Sequence, residues 1–185
     1  MTLGELAEFN SGRAFKTEEL AEFGMKVTRI SNLHKPDFPY WRYNGEFNPK
    51  IVAKDGDILF SWAGVANSIN VHRYKGEDTL LNQHIYNFQF KDPVLKEWTY
   101  WALKNMLPNL RKQIEGGAGQ LHLTKGFIQS LPIPIIAKEK MSLLCSCFTS
   151  LESLIKYERE KIVKINTLKT GVSSDLLSGR KRVSI

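Results

Sequence analysis

The stretch SLLCSCFTSLESLIKYEREKIVKINTLKTGVSSDLL, residues 142–177, decides the architecture. Steps of four and three residues from Leu144 reach Phe148, Leu151, Ile155, Glu158, Ile162, Ile165, Lys169, Val172 and Leu176. One narrow helix face is therefore apolar except at Glu158 and Lys169. Lys156, Arg159, Glu160, Lys161 and Lys164 flank it. Such a stripe suits a facing helix better than a globular core, and at 1.5 Å per residue it extends on the order of 50 Å. The competing reading is a terminal helix that lies on its own domain and ends early at Gly171 or the Ser173-Ser174 pair. In both readings a compact block, residues 1–137, carries a rod, residues 138–185.

The 185 residues, 42% of them hydrophobic, suffice for one core plus an appendage. Cys145 and Cys147 are two apart within the helical stretch and point in different directions. That spacing excludes a disulfide between them or a zinc site, and fits a reducing compartment. No apolar run approaches the roughly 20 residues of a membrane span. Residues 1–10 carry Glu5 and Glu8 where a signal peptide would be basic and then apolar, so a cytoplasmic protein is expected. The net charge of +7 is uneven: residues 1–90 hold 10 Lys and Arg against 11 Asp and Glu, residues 91–185 hold 16 against 8. A basic half provides what a polyanion-binding surface needs, and equally what solubility needs; charge alone does not choose.

The first half predicts strands and turns. Leu3 to Asn10 reads as a short strand, Ser11-Gly12-Arg13 as a turn with a basic tip, and Thr17-Glu18-Glu19-Leu20 as a capped helix start. Met25 to Leu33 alternates and reads as a strand, broken by Pro36, Asp37 and Pro39. Lys54-Asp55-Gly56-Asp57 is a tight turn launching the strand Ile58-Leu59-Phe60. A hairpin is expected around Lys75-Gly76-Glu77-Asp78, and Leu80 to Phe90 reads as one further strand. Pro93 opens a helix with Leu95, Trp98, Trp101, Ala102 and Met106 at helical spacing, expected to stop at Pro108 before a short run from Asn109 to Glu115. The fold class is α+β: a twisted, mostly antiparallel sheet with short helices, then a long C-terminal coiled-coil helix.

Between these parts lies Gly116-Gly117-Ala118-Gly119-Gln120-Leu121-His122-Leu123-Thr124-Lys125. Its glycines, Gly117 and Gly119 among them, permit close backbone approach to a ligand, and Gln120, His122, Thr124 and Lys125 supply donors for phosphates or base edges. The bland alternative is a solvent loop. The spacing is neither that of a P-loop nor that of a dinucleotide fingerprint. Leu131-Pro132-Ile133-Pro134-Ile135-Ile136 must be extended, since prolines forbid a helix or a central strand there.

Taken in order, Leu3-Gly4-Glu5, Ser11-Gly12, Arg29-Ile30-Ser31-Asn32-Leu33, Gly56-Asp57-Ile58-Leu59-Phe60-Ser61, Leu81-Asn82-Gln83-His84-Ile85 and the glycine-Gln loop resemble the target recognition domain of a type I restriction-modification specificity subunit. The tail, Leu131-Pro132-Ile133-Pro134 with a long helix closing in Leu176-Leu177-Ser178-Gly179 and Arg180-Lys181-Arg182-Val183, is similar to that family's spacer helix. Two departures stand out. The family's Pro-Pro-Leu and following Glu-Gln are replaced by Pro134-Ile135-Ile136 and Lys138-Glu139-Lys140, and one recognition domain and one spacer are present where the family usually has two of each. The chain is expected to be either a natural half-subunit or a piece of a longer one.

The resemblance implies a non-catalytic, sequence-specific DNA-binding subunit that directs a separate methyltransferase and restriction machinery, without cofactor or metal. The residues agree with it: His34, His72, His84 and His122 are scattered along the sequence, and no nucleophile or acidic pair has a local signature. A DNA methyltransferase fragment would need a glycine-rich cofactor motif and an Asn or Asp-Pro-Pro-aromatic motif; Asn48-Pro49-Lys50 is a poor imitation. A coiled-coil scaffold would explain the rod but not the glycine-Gln loop. Phosphate contacts are expected from Arg13, Lys16, Lys125, Arg111 and Lys112, and base-edge contacts from Ser61, Trp62, Asn67, Gln83, Gln120 and His122. The family pairs two spacer helices antiparallel. A chain with one spacer is therefore expected to dimerise through the seam Leu144, Phe148, Leu151, Ile155, Ile162, Ile165, Val172 and Leu176, binding double-stranded DNA and a methyltransferase subunit and no membrane.

Overall fold

The computed structural model describes residues 1–115 and 123–181, so Gly117, Gly119, Gln120 and His122 lie outside the described residues. The chain divides into two compact units, Met1–Ser142 and Leu143–Ile185. In the first unit a single helical turn, α1 (Leu3–Leu6), forms because the Glu5 carboxylate accepts the Thr2 N–H at 2.6 Å, half of a capping box. It feeds β1 (Ala7–Ser11).

Two four-stranded sheets follow, where the sequence suggested a single one. The first has the order β1-β8-β5-β6, wholly antiparallel, with β5 at Ile58–Ser61, β6 at Asn70–Arg73 and β8 at Ile85–Phe90. The helix α3 (Pro93–Glu115) lays Tyr100, Leu103, Leu107 and Leu110 on the sheet residues Ile58, Phe60, Val71 and Phe88. Each large side chain buried there stabilises the unit by about 1.5–3 kcal/mol. Pro108 does not stop α3. Leu107 and Leu110, on either side of it, are both buried on the sheet, and this packing offsets the missing N–H.

The second sheet has the order β3-β2-β7-β4, from β2 (Met25–Thr28), β3 (Trp41–Tyr43), β4 (Val52–Ala53) and β7 (Thr79–Leu81). Here β2 and β7 run parallel, with Val27 opposite Leu80 and Thr28 opposite Leu81. The buried Thr28 and Thr79 hydroxyls bond each other at 2.9 Å, and Thr79 donates to the Lys26 carbonyl. The expected hairpin at residues 75–78 is therefore a crossing from one sheet to the other. Likewise, Leu80 to Phe90 is two strands, parted by a turn at residues 82–84. The strand predicted over residues 25–33 stops at Thr28, because the Asn32 side chain accepts the Arg29 N–H and starts α2 (Ile30–His34). Thr17–Glu19 forms only a 3-10 turn.

The predicted extended segment pairs with the start of the chain: Leu3 N–H donates to Leu131 O, and Ile133 N–H donates to Met1 O. Gly4 lies against Gln129 of α4 (Lys125–Gln129). In the second unit α5 (Lys138–Leu177), which begins within the first, continues through Gly171. It ends at Gly179, whose φ of 71° suits glycine and whose N–H reaches the Leu176 carbonyl. Its 40 residues correspond to about 60 Å of helix.

Gly12 crosses the backbone of residues 81–82 so closely that a Cβ there would run into the Leu81 and Asn82 carbonyl oxygens. Gly12→Ala is expected to destabilise the chain by about 1–3 kcal/mol. Gly126→Ala, in open space within α4, should instead stabilise it by about 0.5–1 kcal/mol. Urea denaturation midpoints of the two variants check this.

Candidate nucleic-acid interface

In the first sheet the last residue of β1, the last of β5, the first of β6 and the first of β8 all lie at the same end, since Ser11 faces Tyr86, and Ser61 faces both Ile85 and Asn70. Backbone hydrogen bonds stitch the segments leaving that end. Gly12 N–H donates to Ile85 O, Arg13 N–H to Leu81 O, Trp62 N–H to His84 O, and Asn82 N–H to Thr28 O. Residues 81–85, the turn and its two flanks, thus gather residues 11–13, 28–29 and 61–62 from far apart in sequence and from both sheets. Arg13, Trp62 and Gln83, separate in the chain, become neighbours there.

Their chemistry differs. Trp62 stacks on Tyr86 at 5.7 Å and meets the His84 ring edge-on at 5.4 Å. The Gln83 side-chain oxygen is buried without a hydrogen-bond partner among the described residues. Arg13 lies over both the Phe15 and Tyr43 rings, 4.4 and 4.7 Å away, and pairs with Glu19 at 2.7 Å. The Lys16 N–H, and then Arg13, hold the Glu19 carboxyl below its usual range. Arg13 is thus neutralised and fixed, while Lys16 is exposed beside it.

Ser61 has no open face. It is fully buried, its hydroxyl donates to Ser68 O at 2.6 Å, and it accepts the Asn70 N–H at 3.1 Å. It closes the loop of residues 62–69, which exposes Asn67 at the same end of the sheet. Arg111 braces that loop from α3, giving Nε–H and Nη2–H bonds to the Ile69 carbonyl at 3.0 and 2.9 Å, while Lys112 is exposed. For Ser61 and Arg111, then, the contacts seen are those of scaffolding. Lys125 stands apart, exposed on α4, which packs on α1.

Two features were not singled out in the sequence. Arg29 lies over the Trp41 ring at 4.1 Å and the Phe38 ring at 5.3 Å, and donates Nη2–H to Pro39 O at 2.7 Å. The buried Asn32 holds the same loop, donating to Phe38 O at 2.8 Å. The signal was present as Phe38-Pro39-Tyr40-Trp41, three aromatics following an Arg-x-x-Asn cap. The second feature is that His34 and His72, far apart in sequence, come together with ring centroids 5.3 Å apart. Burial, with His34, Lys104 and Arg111 nearby, pushes the His72 imidazole down to about 3. Its Nε2 lies 3.4 Å from Ser61 Oγ, so a neutral ring underlies the loop. Among the described residues no group of three His, Cys, Asp or Glu is placed to hold a metal ion.

The family described as "Type I restriction modification DNA specificity domain" matches residues 1–167. The chain belongs to that family. The specificity domain is 24% identical to the type I restriction enzyme MjaVIII specificity subunit of Methanocaldococcus jannaschii, over 98% of this chain and 45% of that one. Among solved structures it is similar to the type I restriction-modification S subunit of M. genitalium, with a TM-score of 0.63 and 15% identity over 92% of this chain and 43% of that one. The HsdS subunit of Thermoanaerobacter tengcongensis gives a TM-score of 0.62 and 18% identity over 85% and 38%. The specificity domain therefore shares their fold and spans less than half the length of each.

The depressed His72 pKa fixes a sign. Between pH 6.5 and about 3 the unfolded chain takes up a proton that the folded domain refuses, so stability falls as the pH drops. The slope from this group is roughly 1.4 kcal/mol per pH unit at most. Denaturation curves between pH 7 and 4 should be flatter by about that slope in His72→Gln than in the unaltered chain.

Proposed function

We propose that the chain reads a DNA sequence on behalf of a separate methyltransferase subunit, residues 1–137 acting as reader and residues 138–185 as spacer. The observation that carries this is the meeting of polar, aromatic and basic residues from both sheets at one strand end, in a chain that belongs to a DNA specificity family. Lys16 and Lys112, exposed beside this end, supply phosphate contacts; Trp62, Asn67 and Gln83 face base edges. Gly117, Gly119, Gln120, His122 and Lys125 supply further DNA contacts in this reading, on the strength of their residue types in the sequence alone. The chain does no chemistry of its own and uses no cofactor.

With about 4–6 phosphate contacts, the logarithm of affinity for duplex DNA is expected to fall against the logarithm of salt with a slope of about −4 to −5. Titration of a labelled duplex at several salt concentrations measures it, and a flat response would leave the scaffold reading in its place. In the same preparation, S-adenosylmethionine and DNA should yield no methyl transfer until a catalytic subunit is added.

The spacer supports assembly. Its seam is open to solvent along its length, with Leu151 54%, Ile155 51%, Ile162 56% and Ile165 55% exposed. Burial contributes about 1.5–3 kcal/mol per large side chain, so several together exceed even a substantial association cost. An antiparallel two-fold pair covers this seam and places one reader at each end, to recognise an interrupted palindrome. Glu158, now 3.7 Å from Lys161, would there meet Lys169 of the second copy. Sedimentation at micromolar concentration should show a dimer that Ile155→Asp converts to monomer.

A further inference from the structure

We propose that Arg29, stacked on Trp41 and Phe38 beside the turn at residues 82–84, reads a guanine edge in duplex DNA. This rests on the DNA-reading function above and adds a specificity-determining residue to it. The placement comes from the backbone: Thr28 accepts the Asn82 N–H, and Asn82 bridges to Arg13, so Arg29 leaves its strand alongside the gathered segments.

Charge pairing distinguishes Arg29 from Arg13, the other arginine at this end. Arg13, Lys26, Lys50 and Arg73 each have a carboxylate within ion-pairing distance, whereas Arg29 has none among the described residues. One Nη2 hydrogen goes to Pro39 O, Nε is buried without a partner, and the remaining Nη hydrogens are unspent. A cation in this condition lacks an acceptor.

The stacking decides which acceptor. Trp41 and Phe38 fix the plane of the guanidinium, and Asn32 fixes the loop that carries Phe38 and Pro39. The free end of such a fork favours a coplanar pair of acceptors. Guanine O6 and N7 in the major groove form that pair, and fixing the fork in advance reduces the entropy lost on contact. Two phosphate oxygens also form such a pair, but this end already has mobile cations for phosphates in the exposed Lys16 and Lys112, whereas the braced Arg29 suits a directional base edge.

The test is selection from a random duplex pool by the full chain and the Arg29→Lys, Arg29→Ala and Trp41→Leu variants, with salt titrations on the selected duplex. The unaltered chain is expected to enrich a motif containing a guanine that Arg29→Lys no longer requires, the preference there dropping about tenfold or more. Other positions and the salt slope should stay as they were. Trp41→Leu should weaken the preference at the same position and no other. An unchanged motif in Arg29→Lys would overturn the proposal while leaving the DNA-reading function intact. Arg29→Ala that weakens every duplex alike and lowers the slope by about one would make Arg29 a phosphate contact and overturn it too. Failure of the unaltered chain to enrich any motif would remove the reading function and this proposal together.

Discussion

The turn at residues 82–84 is the constraint on which the rest of the first unit depends. Two separate sheets meet there; the turn satisfies the Trp62 N–H and the Thr28 carbonyl, and the residues flanking it, Leu81 and Ile85, accept the N–H groups of Arg13 and Gly12. Buried amides left unpaired would each cost on the order of 1–3 kcal/mol, so the arrangement holds only if all the segments arrive together. Gly12 is the steric condition of that meeting, because no side chain fits between residue 12 and the carbonyls beneath it. The place where the two sheets are stitched together thus coincides with a cluster of rings, amides and cations.

Around the turn the side chains divide their roles by burial. Ser61, Asn32 and His72 are turned inward or half-covered, and their polar atoms lie against neighbouring loops or side chains. Arg111 reaches from α3 to do the same for the Ile69 carbonyl. What remains at the surface is a set of rings and cations whose positions are fixed from below. Such support keeps a recognising group near its working geometry without contact to the ligand.

The sequence was legible where period or punctuation is strong. The heptad of α5, the turn at residues 54–57 leading to β5, and the extended run at residues 131–136 follow from side-chain spacing and proline sterics alone, and they appear in the structure. Illegible were the choices that depend on partners distant in sequence. Nothing local in Thr79 to Leu81 says that it pairs parallel with β2, or that the strand must break at Asn82 to enter the other sheet. Pro108 misled because the burial of Leu107 and Leu110 outweighs its local penalty. In the candidate site, Trp62 and Gln83 were expected from residue type, Gln83 at the start of what read as a strand and is a turn. Arg29 was passed over because an arginine inside an apparent strand shows neither its stacking nor its lack of a counter-ion.

The pairing of Leu3 with Leu131, and of Met1 with Ile133, places the first residues of the globular unit beside the last ones before α5. A unit whose two ends leave side by side behaves as a cassette. Its interior chain can be reopened at an exposed loop such as residues 75–78 and its original ends joined by a short linker, because the core does not register where the chain is cut.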